Sequence, residues 1–238
     1  MNQPRFKIKE LRPISVKDGF LVDGFPSAGF ASAIASESLI NTTGFEVAAI
    51  IDSDTFPPVS LIKDGEPNYP TRIFVQNELN VAVFSSYLTL HESLHKQMAR
   101  FMLSWAKKHG IKYIITSIGV RAPNQSEQII AAGSTKEARK KIQEVGIHVL
   151  QHGTIPGIPG SLLNQGMING QNVIAVLFNS MEQGPDFKSS AQLCMAISKL
   201  VPGASCDIST LNKEAERAEK IIKETDTEAK NLKEGIYQ

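Results

Sequence analysis

Short apolar segments that alternate with helical patterns constrain the fold of this chain more than any other feature. The runs FEVAAII (45–51), YIITSIG (113–119) and NVIAVLF (172–178) each have the length of one buried strand. Strands that alternate with helices predict an α/β fold in which helices cover a sheet. Further strands are predicted at RFKIKEL (5–11), GFLVDGF (19–25), RIFVQ (72–76), VAVFSS (81–86), EQIIAAGS (127–134) and GIHVLQ (146–151).

Helix signals occupy the intervals between these runs. The segment from His91 to His109 has apolar residues along one face, and a glycine follows it. Residues 53–70 contain four prolines and predict a loop and a turn. The other predicted helices are residues 29–40 with Ser27 as a possible cap, 135–144, a small helix after the Gly/Pro loop that begins at residue 153, and 186–201.

Composition excludes several classes of function. The formal net charge of +1 gives no global field that would attract nucleic acid or an anionic membrane. No apolar run is long enough to span a bilayer. The N-terminal residues lack the apolar core of a secretion signal, so we expect a cytoplasmic protein. Cys194 and Cys206 are accordingly expected to be reduced thiols, although their spacing leaves a disulfide open.

The C-terminal segment differs from the rest of the chain. More than half of the residues in 211–234 are charged, with the two signs interspersed. We therefore divide the chain into an α/β domain (1–206), an amphipathic helix (207–234) and a tail (235–238). The helix lies either on its own domain or between subunits as a coiled coil. Its apolar or small residues recur every three or four positions, at Leu211, Ala215, Ala218, Ile222, Thr225, Ala229 and Leu232.

The segment HESLH (91–95) matches the H-E-x-x-H pattern of zinc-dependent hydrolases. In that pattern two histidines one helical turn apart bind the metal and the glutamate is the general base. His91, Glu92 and His95 have the required spacing, but no clear third ligand follows them. The segment also has the character of an exposed helix start, with Thr89 as a possible cap. We therefore favour coincidence over a metal site.

Two turns rich in small residues are candidates for binding a ligand or an anion. The first contains Gly24, Phe25 and Pro26, between a predicted strand and a helix. The second is IPGIPG, which contains Gly157 and Gly160. Neither contains a phosphate-binding fingerprint or an obvious nucleophile. Tight turns with close packing of helix and sheet are therefore the favoured interpretation of both.

These turns and what surrounds them resemble the proteasome-assembling chaperone family. The matching features are the Gly24-Phe25-Pro26 turn before a helix, the glycine-rich loop from Gly157 to Leu163, the strand VIAVLF, and Pro185-Asp186 before the next helix. The resemblance covers roughly residues 5–200. It implies a three-layer α/β/α fold similar to that of nucleoside phosphorylases, homo-oligomers, and no enzymatic activity or cofactor.

One group within this family carries a C-terminal hydrophobic-Tyr-X motif that binds the proteasome α-ring, and archaeal homologues have it. Ile236, Tyr237 and Gln238 match that motif at the end of the chain. The resemblance therefore implies an assembly chaperone or an activator-like protein whose partners are proteasome α-subunits.

Two other interpretations remain open. In one, the chain is an enzyme with a ligand or metal site in the α/β domain, either hydrolase-like, ligase-like or dependent on the H-E-x-x-H segment. In the other, the C-terminal helix serves only to pack subunits together and the tail has no role.

Overall fold

The main body of the protein is a twisted sheet covered by helices on both faces. The structure is a computed structural model, and it describes residues 6–27, 30–120, 129–180 and 186–207, together with single positions in the C-terminal helix at 211, 220, 221, 223–225 and 227. In these parts the main sheet has nine strands, and a separate hairpin has two. The three-layer α/β/α class expected from the sequence is confirmed.

The described elements follow the predicted alternation of strands and helices. The strands are β1 (Phe6–Glu10), β2 (Phe20–Gly24), β3 (Glu46–Ser53), β4 (Leu61–Lys63), β5 (Glu66–Asn68), β6 (Thr71–Gln76), β7 (Val81–Ser86), β8 (Tyr113–Val120), β9 (Ile130–Gly133), β10 (His148–Val149) and β11 (Asn172–Asn179). The helices are α1 (Ala31–Thr43), α2 (Glu92–Lys108), α3 (Lys136–Glu144), α4 (Gly157–Asn169) and α5 (Phe187–Leu200).

The order of strands places four parallel strands at the centre of the sheet. Across the sheet the order is β1-β3-β6-β7-β2-β8-β11-β9-β10. Strands β7, β2, β8 and β11 run parallel to their neighbours in this group, and the antiparallel pairs lie on either side of them. Parallel central strands are buried on both faces. This burial explains why their sequences read as continuous apolar runs and not as alternating patterns.

The two faces of the sheet carry different helices and separate apolar cores. Helices α1, α3 and α5 supply side chains such as Leu39, Ile142 and Leu193 to one core. Helices α2 and α4 cover the other face, with Met98, Met102 and Leu162 among their buried residues. Helix α1 follows β2 and helix α2 follows β7, so the chain leaves these two neighbouring strands toward opposite faces. No helix in the described residues is long and apolar enough to cross a membrane.

The proline-rich segment contains more regular structure than the sequence predicted. Residues 61–68 form the β4–β5 hairpin, with Gly65 at φ 82° in its turn, where the sequence indicated only a loop and a turn. The hairpin pairs only with itself. Its strands of three residues are too short to give a periodic pattern, which explains why they were missed.

The expectation of two reduced thiols was wrong. Cys194 and Cys206 form a disulfide. Cys194 is buried in α5, and the chain reverses after that helix at Pro202 and Gly203, where Gly203 has φ 80°. This reversal brings the two Cα atoms to 6.0 Å, within the usual range for a disulfide. Both sulfur atoms lie beside the carbonyl oxygen of Ala35, so the bridge sits against α1.

Candidate functional site

A cavity of about 550 Å³ lies at the carboxyl ends of β2 and β8. Its walls also include the first turns of α2 and α4. Helices α1 and α2, which follow β2 and β7, cover opposite faces, so the topological switch point lies between these two strands, on the β2 side of the cavity. Open α/β sheets commonly bind ligands near such points. The lining residues are Asp23, Phe25, Pro26, Ser27, Glu92, His95, Lys96, Ser117, Ile118, Gly119, Pro156, Gly157, Ile158, Pro159 and Ser161.

The first predicted turn, Gly24-Phe25-Pro26, forms one wall of this cavity. Phe25 and Pro26 line it, whereas Gly24 faces α1. A side chain at Gly24 would overlap the hydroxyl of Ser36 and come within 2.9 Å of the carbonyl oxygen of Phe84. Glycine is therefore required here for close packing of α1 on the sheet, as the favoured interpretation of this turn predicted.

Asp23, near the end of β2, is a polar residue of the site that sequence reasoning missed. It is buried, with 7% of its surface exposed. The Thr116 hydroxyl donates a hydrogen bond of 2.6 Å to one carboxyl oxygen, and the backbone N–H of Phe25 donates one of 3.1 Å to the other. Burial raises the pKa of the Asp23 carboxyl to about 6, an effect that these hydrogen bonds and the positive charge of a protonated His95 ring only partly offset.

Three serine hydroxyls form a chain between the sheet and α1 beside the cavity. The Ser32 hydroxyl donates to the Ser27 oxygen over 2.6 Å and also lies 2.7 Å from the Ser117 oxygen. Because Ser32 has one hydroxyl hydrogen, Ser117 must supply the hydrogen of the second bond. Ser27 also accepts from the backbone N–H of Ser32 near the start of α1, but the N-cap is Phe30 and not Ser27, so the predicted cap was wrong.

The HESLH segment forms the start of α2, and its two histidines have different roles. His91, and not Thr89, is the N-cap, and its Nδ1 accepts from the backbone N–H of Ser93 over 3.3 Å. His95 places Nε2 3.0 Å from the carbonyl oxygen of Leu90. Glu92 and His95 line the cavity. Within the described residues, no group of three or more His, Cys, Asp or Glu side chains is arranged to hold a metal ion.

The second predicted turn forms the opposite wall, and it is helical earlier than the sequence indicated. Helix α4 begins at Gly157, inside the Gly/Pro run, with Gly157 at φ 72°. Gly157 faces His95, whose Nδ1 would lie 3.8 Å from a side chain there. Gly160 instead faces the backbone, because a side chain would overlap the carbonyl oxygen of Ile155. Gly160 therefore shapes the turn and Gly157 borders the cavity.

We expect Gly160→Ala to lower the free energy of unfolding by about 1–3 kcal/mol, as insertions into packed regions do. The added methyl group meets a backbone carbonyl, which can move only if the turn before α4 shifts. Urea denaturation measures the change. Gly153→Ala is the matched control, because its methyl group would meet the flexible Leu150 side chain at 3.3 Å. Equal losses in the two variants would contradict this role of Gly160.

The structure brings together segments that the sequence offered as separate candidates. The Gly24-Phe25-Pro26 turn, Glu92 and His95, and Gly157 all border one cavity. His91 and Gly160 support its walls. Asp23 and Ser117 were missed, although a carboxylate inside the apolar run FLVDG, directly before a glycine turn, is a signal that could have identified the first of them.

The predicted partner-binding residues Ile236, Tyr237 and Gln238 lie outside the described residues. Two of the described positions of the C-terminal helix contact the body of the protein. Leu211 is buried against Ile34 of α1, and Ile221 packs beside Ala33 and Tyr87. At these positions the helix therefore lies on its own domain. The division of the chain at residues 206 and 207 stays a prediction.

Comparison with known families identifies the group to which this fold belongs. The sequence profile described as "PAC2 family" matches residues 21–226, which is most of the chain. The chain belongs to the PAC2 family. The match includes the strands and helices that build the cavity and extends into the C-terminal helix. The resemblance to proteasome-assembling chaperones and their archaeal homologues, stated from the sequence, is confirmed.

Three relatives of this PAC2 protein cover nearly its whole length. An uncharacterized protein of Methanocaldococcus jannaschii is 22% identical over 92% of this chain and 90% of its own. The crystal structure of Pyrococcus furiosus PbaA, described as an archaeal homolog of proteasome-assembly chaperone, is 23% identical with a TM-score of 0.79, covering 95% of this chain and 100% of PbaA. P. furiosus PbaB, described as an archaeal proteasome activator, is 22% identical with a TM-score of 0.73, covering 93% and 98%.

Proposed function

We propose that this PAC2 protein binds the α-ring of the proteasome and acts as an assembly chaperone or as an activator. The observation that carries the proposal is the likeness over nearly the whole chain to PbaA, a homolog of proteasome-assembly chaperone, and to PbaB, a proteasome activator. We infer that the chain is not an enzyme, since both relatives are described by their relation to the proteasome.

The chemistry of the tail supports docking into a pocket on another protein. A free main-chain carboxylate on Gln238 can pair with a lysine or an arginine in such a pocket. Tyr237 supplies a large ring and a hydroxyl at little cost in conformational entropy. Ile236 fills an apolar slot, and Gly235 lets the chain leave the preceding helix. We therefore assign partner binding to Ile236, Tyr237 and Gln238.

A single tail of this kind binds weakly, because it must be ordered on binding. Several tails on one assembly bind more tightly, provided that their spacing matches that of the receiving pockets. We accordingly propose that the protein is a homo-oligomer. The contacts of Leu211 and Ile221 with α1 and its surroundings support a fixed origin for each tail.

Two reactions test the proposed function and distinguish an assembly chaperone from an activator. Purified protein with a free C-terminus is added to archaeal proteasome α- and β-subunits, and the yield of core particle is followed by native electrophoresis. In parallel it is added to finished particles, and hydrolysis of a fluorogenic peptide is followed. A higher yield identifies an assembly chaperone and faster hydrolysis identifies an activator. A protein that changes neither quantity contradicts the proposal.

A further inference from the structure

The cavity at the ends of β2 and β8 has the size of a small-molecule site, and two carboxyl groups are among its polar groups. Its volume of about 550 Å³ lies within the usual range for ligand pockets. Asp23 and Glu92 both line it with carboxyl groups. Lys96 brings one cation, but its side chain is exposed, as is that of Glu92. The hydroxyls of Ser27, Ser117 and Ser161 can donate or accept, whereas an ionised carboxylate only accepts, so the two carboxyl groups favour a ligand that supplies hydrogens.

The orientation of His95 adds a third acceptor. Its Nε2 lies 3.0 Å from the carbonyl oxygen of Leu90, and a carbonyl oxygen can only accept, so Nε2 carries the hydrogen. In the neutral ring, Nδ1 then holds the free lone pair. This atom lies on the side of Gly157, where a side chain would come within 3.8 Å of it. The absence of a side chain at Gly157 leaves that space open to a ligand.

The described residues leave Asp23 with capacity to accept further hydrogen bonds. From these residues each of its oxygens receives one hydrogen bond, from the Thr116 hydroxyl or from the backbone N–H of Phe25. An ionised carboxylate has about four lone-pair sites. Among the ion pairs of the described residues, none joins Asp23 to a lysine or an arginine. A buried carboxylate that has no such partner among these residues gains most from a donor that a ligand brings.

The remaining walls are apolar and fit the body of an organic molecule. These walls contain no charged group, in contrast to the part of the cavity that holds Asp23 and Glu92. Their residues are Phe25, Pro26, Ile118, Pro156, Ile158 and Pro159. Ligand sites typically combine such a surface with a few polar groups that fix orientation.

We propose that this cavity binds a small neutral or cationic organic molecule that presents amino or hydroxyl hydrogens to Asp23 and His95 and an apolar ring to the opposite walls. The two carboxylates disfavour anionic ligands, so the site differs from the anion-binding turn that was one candidate for these glycines in the sequence. This binding is independent of the tail and of the proposed role with the proteasome.

Three probes that share an indole ring and differ in their terminal group test which kind of ligand the cavity binds. Tryptamine carries an ammonium group, tryptophol carries a hydroxyl group, and indole-3-acetate carries a carboxylate. Each is titrated into the full-length protein at up to millimolar concentration by isothermal titration calorimetry. We expect tryptamine, tryptophol or both to bind, and we expect indole-3-acetate not to bind. Binding of tryptamine alone identifies an amine site, whereas binding of tryptophol as well identifies a site for neutral donors.

Substitutions in the cavity test whether the probes bind there. Asp23→Asn should weaken tryptamine binding by about tenfold or more, as expected for loss of a hydrogen bond to a charged group. Glu92→Gln removes an exposed carboxylate from the cavity wall and should weaken tryptamine binding by a smaller factor, because solvent screens an exposed charge. Glu92 is exposed, so its variant stays informative if Asp23→Asn folds poorly. Glu78→Gln is the control, since Glu78 precedes the amino end of β7 at the opposite edge of the sheet. The proposal is overturned if no probe binds, if indole-3-acetate binds as tightly as tryptamine, or if neither cavity variant weakens binding.

Discussion

Replacement of Tyr237 by alanine is expected to weaken binding to proteasome α-rings by about a hundredfold, the typical cost of removing an aromatic anchor from an interface. The ring of Tyr237 supplies most of the apolar surface that a three-residue tail can bury, and its hydroxyl needs a partner once buried. Because each subunit of an oligomer would lose the same anchor, the loss of avidity multiplies the effect. Surface plasmon resonance with immobilised α-rings measures the dissociation constant.

Two further variants separate the tail from the helix before it. Tyr237→Phe retains the ring and should lose only the contribution of one hydrogen bond, about tenfold or less. Glu234→Ala changes a charge just before Gly235 and should leave the dissociation constant close to that of the intact chain. Similar affinities for Tyr237→Ala and Glu234→Ala would show that the tail does not anchor the complex.

Asp23→Asn is expected to remove a pH dependence of stability between about pH 4 and pH 6. Burial raises the pKa of the Asp23 carboxyl from 3.8 to about 6, so between these values the folded protein holds a proton that the unfolded chain releases. Stability from this group is fully present below pH 3.8 and is lost as the pH rises through 6. The loss corresponds to roughly 2–3 kcal/mol of unfolding free energy.

The asparagine variant keeps the shape of the carboxyl group and has no charge to desolvate. Its unfolding free energy should therefore fall less than that of the unchanged protein as the pH rises from 4 to 6, when both are measured by urea denaturation. Asp52→Asn is the matched control, because Asp52 is an exposed carboxylate in β3. If Asp23→Asn and Asp52→Asn leave the same pH dependence, Asp23 does not ionise with a raised pKa.

The layers of the fold could be predicted because burial leaves a local trace in the sequence. Strands β8 and β11 are covered on both faces and appear as YIITSIG and NVIAVLF. Helix α2 was predicted from His91 to His109 and runs from Glu92 to Lys108, since its apolar face and its C-terminal glycine are both visible in the sequence. The β4–β5 hairpin has no such pattern in its sequence. Its strands have three residues each, and among the described residues they pair only with each other.

The candidate site could be predicted only in pieces, because it depends on which strands are neighbours. The sequence placed Gly24 and Gly157 in turns and His95 at a helix start, but periodicity does not reveal that β2 lies beside β8. The Thr116 hydroxyl that donates to Asp23 is distant in sequence and reaches it across that strand pair. The disulfide likewise depends on the reversal after α5, which the cysteine spacing alone left open.

Family membership concerns the fold of the body, whereas the tail concerns the binding of a partner. The PAC2 match covers residues 21–226 and accounts for the α/β/α body, whereas Ile236, Tyr237 and Gln238 lie beyond it. A fold of this class can support many functions, so the function must be tested at the residues proposed to carry it.

Co-sedimentation with archaeal proteasome α-rings, of the intact chain and of a chain that lacks residues 236–238, tests the central proposal most directly. Both proteins need a free, untagged C-terminus, and size-exclusion chromatography must first show that they have the same oligomeric state. We predict that the intact chain sediments with the rings and that the shortened chain stays in the supernatant. Equal sedimentation of both chains with the rings, or of neither, would contradict tail docking.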